Sequence, residues 1–467
     1  MATIAEQLTS LANTKAAIKQ SIIDKGVQVA DTDPFSTYPA KIGQISGGGE
    51  TPAEEWQPNP NWWDIKKILG EDTRDYAGKV GVIIYNFNNV SDFELSSSGM
   101  TAVATSDGAF YTYADNGANV SHNWDTTQDK DDGRGFKTRW VIYYYTTDTT
   151  SDSFAQNTTK FGWAYNYIAY LVLRINYSSG SYFCQNQRLL EAIDTFAGYV
   201  IGGTGFSGFC YNCISLTKFP DGLDTSNGTG FNNFCYNCYS LIKLPDGLNT
   251  SLGTNFGSFC YGCYSLIKLP DGLDTSNGTN FSNFCGNCYS LIKLPDGLDT
   301  SNGTNFNNFC YYCYVLKALP DGLNTGNGTG FNNFCYNCFS LIKLPVGLNT
   351  SLGTNFSYFC SGCASLQKLP EITMSANTTA ITSKYSTPFS NSNWIMELPL
   401  TLPSNTNLWL DSLTRISIES FRYIADHAPD VTATPRTLTV GSTNISRINE
   451  ADPTIITDLN AKGWTVA

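Results

Sequence analysis

The sequence predicts a mainly β chain built around a seven-unit solenoid. A β-rich domain and a short N-terminal helix precede it, and an α/β end closes it. Three observations predict this. Cys210, Cys235, Cys260, Cys285, Cys310, Cys335 and Cys360 are each 25 residues apart, and a second series from Cys213 to Cys363 follows three residues behind. No insertion interrupts the period, and units of this length bury their apolar faces only by stacking on one another. The flanks differ: short β-branched and aromatic runs lie before the array, and strand and helix patterns alternate after it.

Residues 1–45 open as a helix, with Ile4, Leu8, Leu11, Lys15, Ile18 and Ile22 at 4-3-4-3-4 spacing and Gly26 ending it. That spacing is a short heptad seam with a lysine at one core position. It suits a helix packed on its own chain, an intersubunit bundle or an attachment segment, since an isolated helix of this length is marginal in water. Residues 46–61, with Ser46-Gly-Gly-Gly49 and Pro52, Pro58 and Pro60, read as a linker. Residues 62–203 read as a β-rich domain, with strands expected at Val80–Tyr85, Ala109–Tyr113, Arg139–Thr146 and Ala169–Asn176. A short helix is expected over Leu189–Ala197, leading into the repeats.

The solenoid occupies 204–372. Phe206 to Phe356 and Phe209 to Phe359 form two inward columns at the 25-residue period, and Leu216 to Leu366 form a third. Pro220 to Pro370 end each short strand, and Gly222 to Gly347 make the turn that follows. Residues 373–467 read as larger turns that seal the open end of the stack. Strands are expected at Leu413–Ile418, Thr437–Val440 and Trp464–Val466, and helices at Glu419–Ala428 and Asp452–Ala461.

Composition narrows the function. Charged residues make up 15% of the chain and the net charge is −12, which disfavours nucleic acid as a partner. No run of 18 apolar residues is present, so no membrane insertion is expected. Met1-Ala-Thr-Ile-Ala-Glu-Gln-Leu8 lacks the charged-then-apolar order of a secretion signal, so synthesis in a reducing cytoplasm is expected. Fourteen of the 15 cysteines lie in the repeats, with Cys184 outside them. Their C-x2-C-x21-C-x2-C spacing has the outline of a zinc site. Stacked rungs instead make each cysteine column a ladder of small buried thiols. Seven pairs do not divide into four-cysteine sites, and a reducing cytosol disfavours disulfides. No cofactor or metal is expected.

Two histidines, His122 and His427, lie far apart, and no catalytic constellation is evident. Asp129-Lys-Asp-Asp-Gly-Arg-Gly135 lacks the full spacing of a calcium loop and reads as a solvated hairpin turn. The aromatic surface is more suggestive. Tyr239, Tyr264, Tyr289, Tyr314 and Phe339 follow the second cysteine of consecutive units, and Tyr211, Tyr236, Tyr261, Tyr311 and Tyr336 lie between the two cysteines. Stacking lines these up as stripes. Tyrosine faces with polar tips suit sugar rings or protein surfaces, and they also suit one another. Lys218, Lys243, Lys268, Lys293, Lys343 and Lys368 lie near Asp221 to Asp321, as mutually neutralising surface pairs.

Asp274-Thr-Ser-Asn-Gly-Thr-Asn-Phe-Ser-Asn-Phe-Cys-Gly-Asn-Cys-Tyr-Ser-Leu291 resembles the BspA-like, 25-residue type of leucine-rich repeat, over about 170 residues and seven times. The first cysteine of each pair departs from that pattern, where an apolar residue is more usual. Leu8 to Gly26 with Phe35 to Ile45 is similar to the leader of tailed-phage structural and fibre proteins, and Leu438 to Asn444 with Lys462 to Val466 is similar to the ending of phage proteins with such repeats. Together the resemblances imply a leucine-rich-repeat solenoid on a phage virion protein. The expectation is a non-enzymatic tail fibre or appendage in the virion, a homotrimer joined to other virion proteins through residues 1–45. It would bind host-surface glycan or protein through Tyr236, Tyr239, Tyr261, Tyr264, Tyr289, Tyr311, Tyr314 and Tyr336. A capsid decoration or head fibre with a structural solenoid, or a bacterial surface adhesin, are the alternatives.

Overall fold

The computed structural model describes residues 63–64, 67–68, 78–86, 92–95, 102–112, 120–134, 136–145, 168–174, 178, 180–195, 200–374 and 387–467, all within one unit, Pro58–Ala467. The expected N-terminal helix and linker lie outside the described residues. The first described strands are β1 (Gly78–Asn86), β2 (Asp92–Leu95), β3 (Ala102–Thr105), β4 (Phe110–Thr112), β5 (Val120–Asn123), β6 (Lys130–Asp131), β7 (Lys137–Tyr145), β8 (Ile168–Arg174) and β9 (Ala192–Thr195). Seven of them form a sheet in the order β4-β3-β7-β1-β8-β9, with β6 also on β7, while β2 and β5 pair separately. Every pair in it is antiparallel except β8 with β9. Ala102 to Thr105, Val141 to Tyr144 and Ile168 to Leu173 are buried without alternation. Such runs belong to strands covered on both faces.

The segment expected as a helix at Leu189–Ala197 is instead β9 over its described part. Its backbone is claimed from both sides. Glu191 N–H donates to Ala169 O of the sheet (2.8 Å), and Ile193 N–H donates to Lys218 O of the first repeat (3.1 Å). This pairing overrides a weak helical pattern. β9 bridges to Lys218, and one hydrophobic core runs from Val103 to Trp464.

Beyond β9 the chain coils into rungs held in parallel register. One column of bridges runs Gly205, Gly230, Asn255, Asn280, Asn305, Gly330, Asn355, and another runs through Lys243, Lys268 and Lys293 and then from Ala318 to Glu397. Each expected short strand is thus reduced to single bridging residues between tight turns. Two residues per rung adopt positive φ, at the positions of Asn233 and Asn237. Asparagine and glycine tolerate that region best, which explains why they recur there. The Phe231, Phe256 and Phe281 rings stack at 5.7 Å, and the same order continues to Phe356. Phe206 to Phe356, Phe209 to Phe359 and all fifteen thiols are buried, with the cysteines free. In each pair the second thiol donates to the carbonyl of the first cysteine one rung back, as in Cys263 Sγ to Cys235 O (3.1 Å) and Cys288 Sγ to Cys260 O (3.1 Å).

The ladder starts one rung earlier than the cysteine count suggests. Cys184 N–H donates to Phe209 O (2.9 Å), Phe183 stacks on Phe209 at 5.4 Å, and Cys213 Sγ donates to Cys184 O (2.7 Å). Tyr182 and Asn186 take the two positive-φ positions. Cys184 is therefore the first cysteine of a degenerate rung whose second is replaced by Gln187. At the other end Ser392 stands in for the thiol and donates to Cys360 O (2.7 Å). The chain then widens: β10 (Ile372–Thr373) pairs with β11 (Leu400–Thr401), and β12 (Leu408–Trp409), β13 (Arg436–Thr439) and β14 (Trp464–Val466) form a parallel sheet in sequence order. Helices α1 (Ile418–His427), α2 (Ser442–Ala451) and α3 (Thr454–Ala461) connect these strands. The strand expected at Leu413–Ile418 lies at β12 instead. Ser417 is the N-cap of α1, and its hydroxyl accepts from Ser420 N–H (3.1 Å), so the segment before it turns into the helix. Helix α2 was absent from the sequence reading.

Candidate binding face of the solenoid

The face carrying the aromatic stripes is positioned by the thiol column beneath it. The cysteines of each C-x2-C pair are buried, and the tyrosines that follow the first and the second cysteine lie half-buried at the surface. Tyr239, Tyr264, Tyr289, Tyr314 and Phe339 form an unbroken stack, with ring centroids 4.3, 4.5, 4.8 and 5.1 Å apart and interplanar angles of 5 to 10°. Ile214 precedes this column and Ala364 follows it. The other column stacks Tyr211, Tyr236 and Tyr261 at 4.8 and 4.9 Å, then resumes with Tyr311 and Tyr336 at 5.5 Å. Gly286 occupies the rung between. The structure thus brings all eight tyrosines of the sequence reading onto one face, half-buried by their own stacking. The attachment residues Ile4, Leu8, Leu11, Lys15, Ile18 and Ile22 lie outside the described residues.

Stacking changes the phenols. Burial pushes the Tyr236, Tyr264, Tyr289 and Tyr311 hydroxyls up, and Tyr314 up to about 12, and all but Tyr289 are raised next by neighbouring phenols. These five phenols therefore stay neutral through the physiological range, as hydroxyls able both to donate and to accept. Alongside runs an aliphatic stripe. Ile242, Ile267 and Ile342 are exposed by 40 to 54%, and their backbones continue the rung ladder through Ile267 N–H to Ile242 O (3.1 Å) and Ile292 N–H to Ile267 O (3.0 Å). Lysines border that stripe. Lys243, Lys268 and Lys293 sit 3.8 to 3.9 Å from Asp246, Asp271 and Asp296. Ala318 and Val346 each remove one partner from two successive pairs, and the survivors, Lys343 and Asp321, join across rungs at 3.2 Å.

Two residues of this face escaped sequence reasoning. Tyr312 occupies a positive-φ position (φ 59°) where other rungs have asparagine or glycine. Its ring packs edge-on to Tyr311 at 4.2 Å, Tyr314 at 5.7 Å and Tyr336 at 5.4 Å, joining the two columns. Tyr358 extends the cluster by an edge contact to Tyr336 at 5.4 Å. The signal available was the departure of each from the asparagine of its column.

The other candidate chemistry is absorbed by structure. Asp129 pairs with Arg139 (2.5 Å), Asp131 with Lys137 (3.1 Å) and Asp132 with Arg134 (3.0 Å), so this acidic loop is neutralised within its own hairpin. His427 stacks on Tyr423 at 3.9 Å in the last turn of α1. Among the described residues no three His, Cys, Asp or Glu side chains are grouped to hold a metal. No helix among them is long and apolar enough to cross a membrane.

No family model and no curated relative matches the chain. Among solved structures, the chain is similar to a leucine-rich cell-surface protein from Faecalibacterium prausnitzii, at 14% identity and a TM-score of 0.26, over 71% of this chain and 97% of that one. It is also similar to a leucine-rich-repeat protein from Eubacterium ventriosum, at 13% identity and a TM-score of 0.26, over 52% of this chain and 82% of that one.

Proposed function

We propose that this chain is an adhesion protein of a phage particle that binds host-surface glycan or protein through the aromatic face of its leucine-rich solenoid. The observation that carries the adhesive part is the unbroken five-ring column from Tyr239 to Phe339, bordered by exposed isoleucines and free of charge along its length. Large amphipathic rings held rigid before contact lose little entropy on binding, and they dominate recognition surfaces for that reason. The phage assignment rests on the sequence resemblance of residues 8–45 and of the ending. In this reading residues 1–45 join the chain to other virion proteins and to its own copies as a homotrimer, and no step of the function is enzymatic. A second reading, a capsid decoration with a structural solenoid, draws on the same stacking: rings that bury one another also stabilise the ladder.

The test is binding of the full chain to a panel of candidate host bacteria. It is compared with a variant carrying Tyr239→Ser, Tyr264→Ser, Tyr289→Ser and Tyr314→Ser, whose fold is checked by circular dichroism. Saturable binding by the parent, lost in a folded variant, is the expected result. Binding that survives the four substitutions moves the adhesive site elsewhere. A parent that binds none of the panel leaves the decoration role as the better account.

A further inference from the structure

Packing fixes a glycine in the loop before each phenylalanine pair from Phe231 on. A Cβ built on Gly228 would fall 2.5 Å from Phe231 Cζ and 2.9 Å from Phe206 Cδ2, and Gly278, Gly303 and Gly328 meet the phenylalanine column in the same way. In these four rungs an exposed asparagine precedes the glycine, at Asn227, Asn277, Asn302 and Asn327. Three of the four are tied to the rung before. Asn277 Nδ2 donates to Ser251 O (2.8 Å), Asn302 Nδ2 to Ser276 O (2.7 Å) and Asn327 Nδ2 to Ser301 O (2.8 Å). Asn227 has no such bond among the described residues. At the matching offset stands Ile201, whose carbonyl already accepts from Asp224 N–H (2.8 Å). The same loop is also loose toward the rung that follows. The Thr225 hydroxyl is buried without a partner, whereas Thr250, Thr275, Thr300 and Thr325 donate forward at 2.5 to 2.6 Å. Its backbone is held as elsewhere, with Gly228 N–H on Thr225 O (2.9 Å) and Thr229 N–H on Thr204 O (2.9 Å). This loop therefore keeps its main-chain bonds and lacks both side-chain ties.

We propose that Asn227 is a site of covalent self-modification, converting to aspartate and isoaspartate through a cyclic imide faster than the other three asparagine–glycine pairs of the array. The chemistry needs only water. The Gly228 nitrogen attacks Asn227 Cγ, the new N–Cγ bond closes a five-membered ring, and the Cγ–Nδ2 bond breaks. The side-chain nitrogen leaves as ammonia and carries off the proton lost by the Gly228 amide. Water then opens the ring at either of its carbonyls and leaves a carboxylic acid. Glycine favours closure because no Cβ shields its nitrogen. The side-chain amide must also be free to turn onto that nitrogen. At Asn277, Asn302 and Asn327 the turn breaks a hydrogen bond to the rung before, and at Asn227 it breaks none. A hydrogen bond of ordinary strength holds closure back by about two- to tenfold. The bond from the glycine N–H to the threonine carbonyl, 2.8 to 2.9 Å, is common to all four loops and does not distinguish them. Conversion leaves a second negative charge on a loop that already carries Asp224, and isoaspartate lengthens the main chain there by a carbon atom.

The chain supplies its own control. Gly222 to Thr229, Gly272 to Thr279 and Gly297 to Thr304 share the sequence Gly-Leu-Asp-Thr-Ser-Asn-Gly-Thr, so a difference in rate among Asn227, Asn277 and Asn302 belongs to the fold. The experiment keeps the full chain in neutral buffer, samples it over weeks and maps tryptic peptides by mass spectrometry. Cleavage after Lys218, Lys268 and Lys293 places the three pairs in distinct peptides, and Asn116-Gly117, outside the described residues, is followed in its own. A parallel sample is held in concentrated guanidinium chloride. In the native chain Asn227 is expected to convert about threefold faster or more than Asn277 and Asn302. In denaturant the three are expected to convert at one rate. Isoaspartate at 227 is read by labelling with an isoaspartyl methyltransferase, and Asn227→Gln is expected to abolish that label in its peptide. Equal rates in the native chain overturn the proposal, as does faster conversion at Asn277 or Asn302. An Asn227 that stays unchanged in the native chain while the denatured chain converts overturns it as well.

Discussion

Inside the solenoid, the phenylalanine column from Phe209 to Phe359 and the thiol column from Cys213 to Cys363 run without one substitution. Outside, on the same rungs, one aromatic column runs from Tyr211 to Tyr336 with a break at Gly286, and the other runs from Tyr239 to Phe339 between Ile214 and Ala364. The two sides share a period and a backbone, so the difference lies in what each must satisfy. An inner position is enclosed by its own rung and both neighbours, where a lost methylene leaves a void and an added one clashes. An outer ring has solvent on one side and can be absent without a cavity. Unbroken repetition on the inner side therefore marks packing, whereas the outer side tolerates a missing ring.

The largest expected effect comes from breaking the inner side chemically. Burial pushes the Cys235, Cys285, Cys310, Cys335 and Cys360 thiols up. The folded state keeps these protons while the unfolded chain releases them above its ordinary thiol pKa of about 8.5. Stability is thus fully present below about pH 8.5 and falls as pH rises beyond it, by about 1.4 kcal/mol per thiol per pH unit. Thermal melts between pH 7 and 10.5 in reducing buffer check this, and a flat profile would show that the thiols are not sealed off.

Removing one ring from each side compares them directly. Phe284→Ala empties a fully buried site and is expected to cost about 3–5 kcal/mol in urea unfolding. Tyr289→Ala, on the outer column of the same rung, is expected to cost about 1 kcal/mol, the worth of its stacking. Equal losses would dissolve the contrast. A smaller effect of opposite sign is expected at Gln187. It is fully buried where a rung calls for cysteine, and both polar atoms of its side chain lack a partner among the described residues. Gln187→Met keeps the volume and is expected to stabilise by about 1–2 kcal/mol, read from the shift in urea midpoint. The smallest effect is expected at the rim. Lys343→Ala breaks an exposed pair and should change stability by less than about 1 kcal/mol, less still at high salt.

The inner side was legible because period alone identifies it: Phe206, Phe209, Cys210, Cys213 and Leu216 recur at 25 residues, and each proves buried. The rung at Phe183–Leu190 was missed because glutamine replaces its second cysteine and its offset from Phe209 is 26 rather than 25 residues. β9 was missed because its partners, Ala169 and Lys218, come from two regions distant in sequence. The tyrosine stripes were legible as columns. The joining of the two columns was not, since it depends on the backbone at Tyr312 turning its ring sideways.

The hydrogen bonds between rungs lie along the axis of the stack, from β9 through the thiol ladder to Glu397. Tension along that axis loads the bonds between neighbouring rungs directly, and the weakest interface opens first. Each 25-residue rung that peels away releases about 80 Å of chain while the remaining rungs keep their own neighbours. A particle tethered through such a chain would meet a pull by paying out slack in fixed steps rather than by letting go.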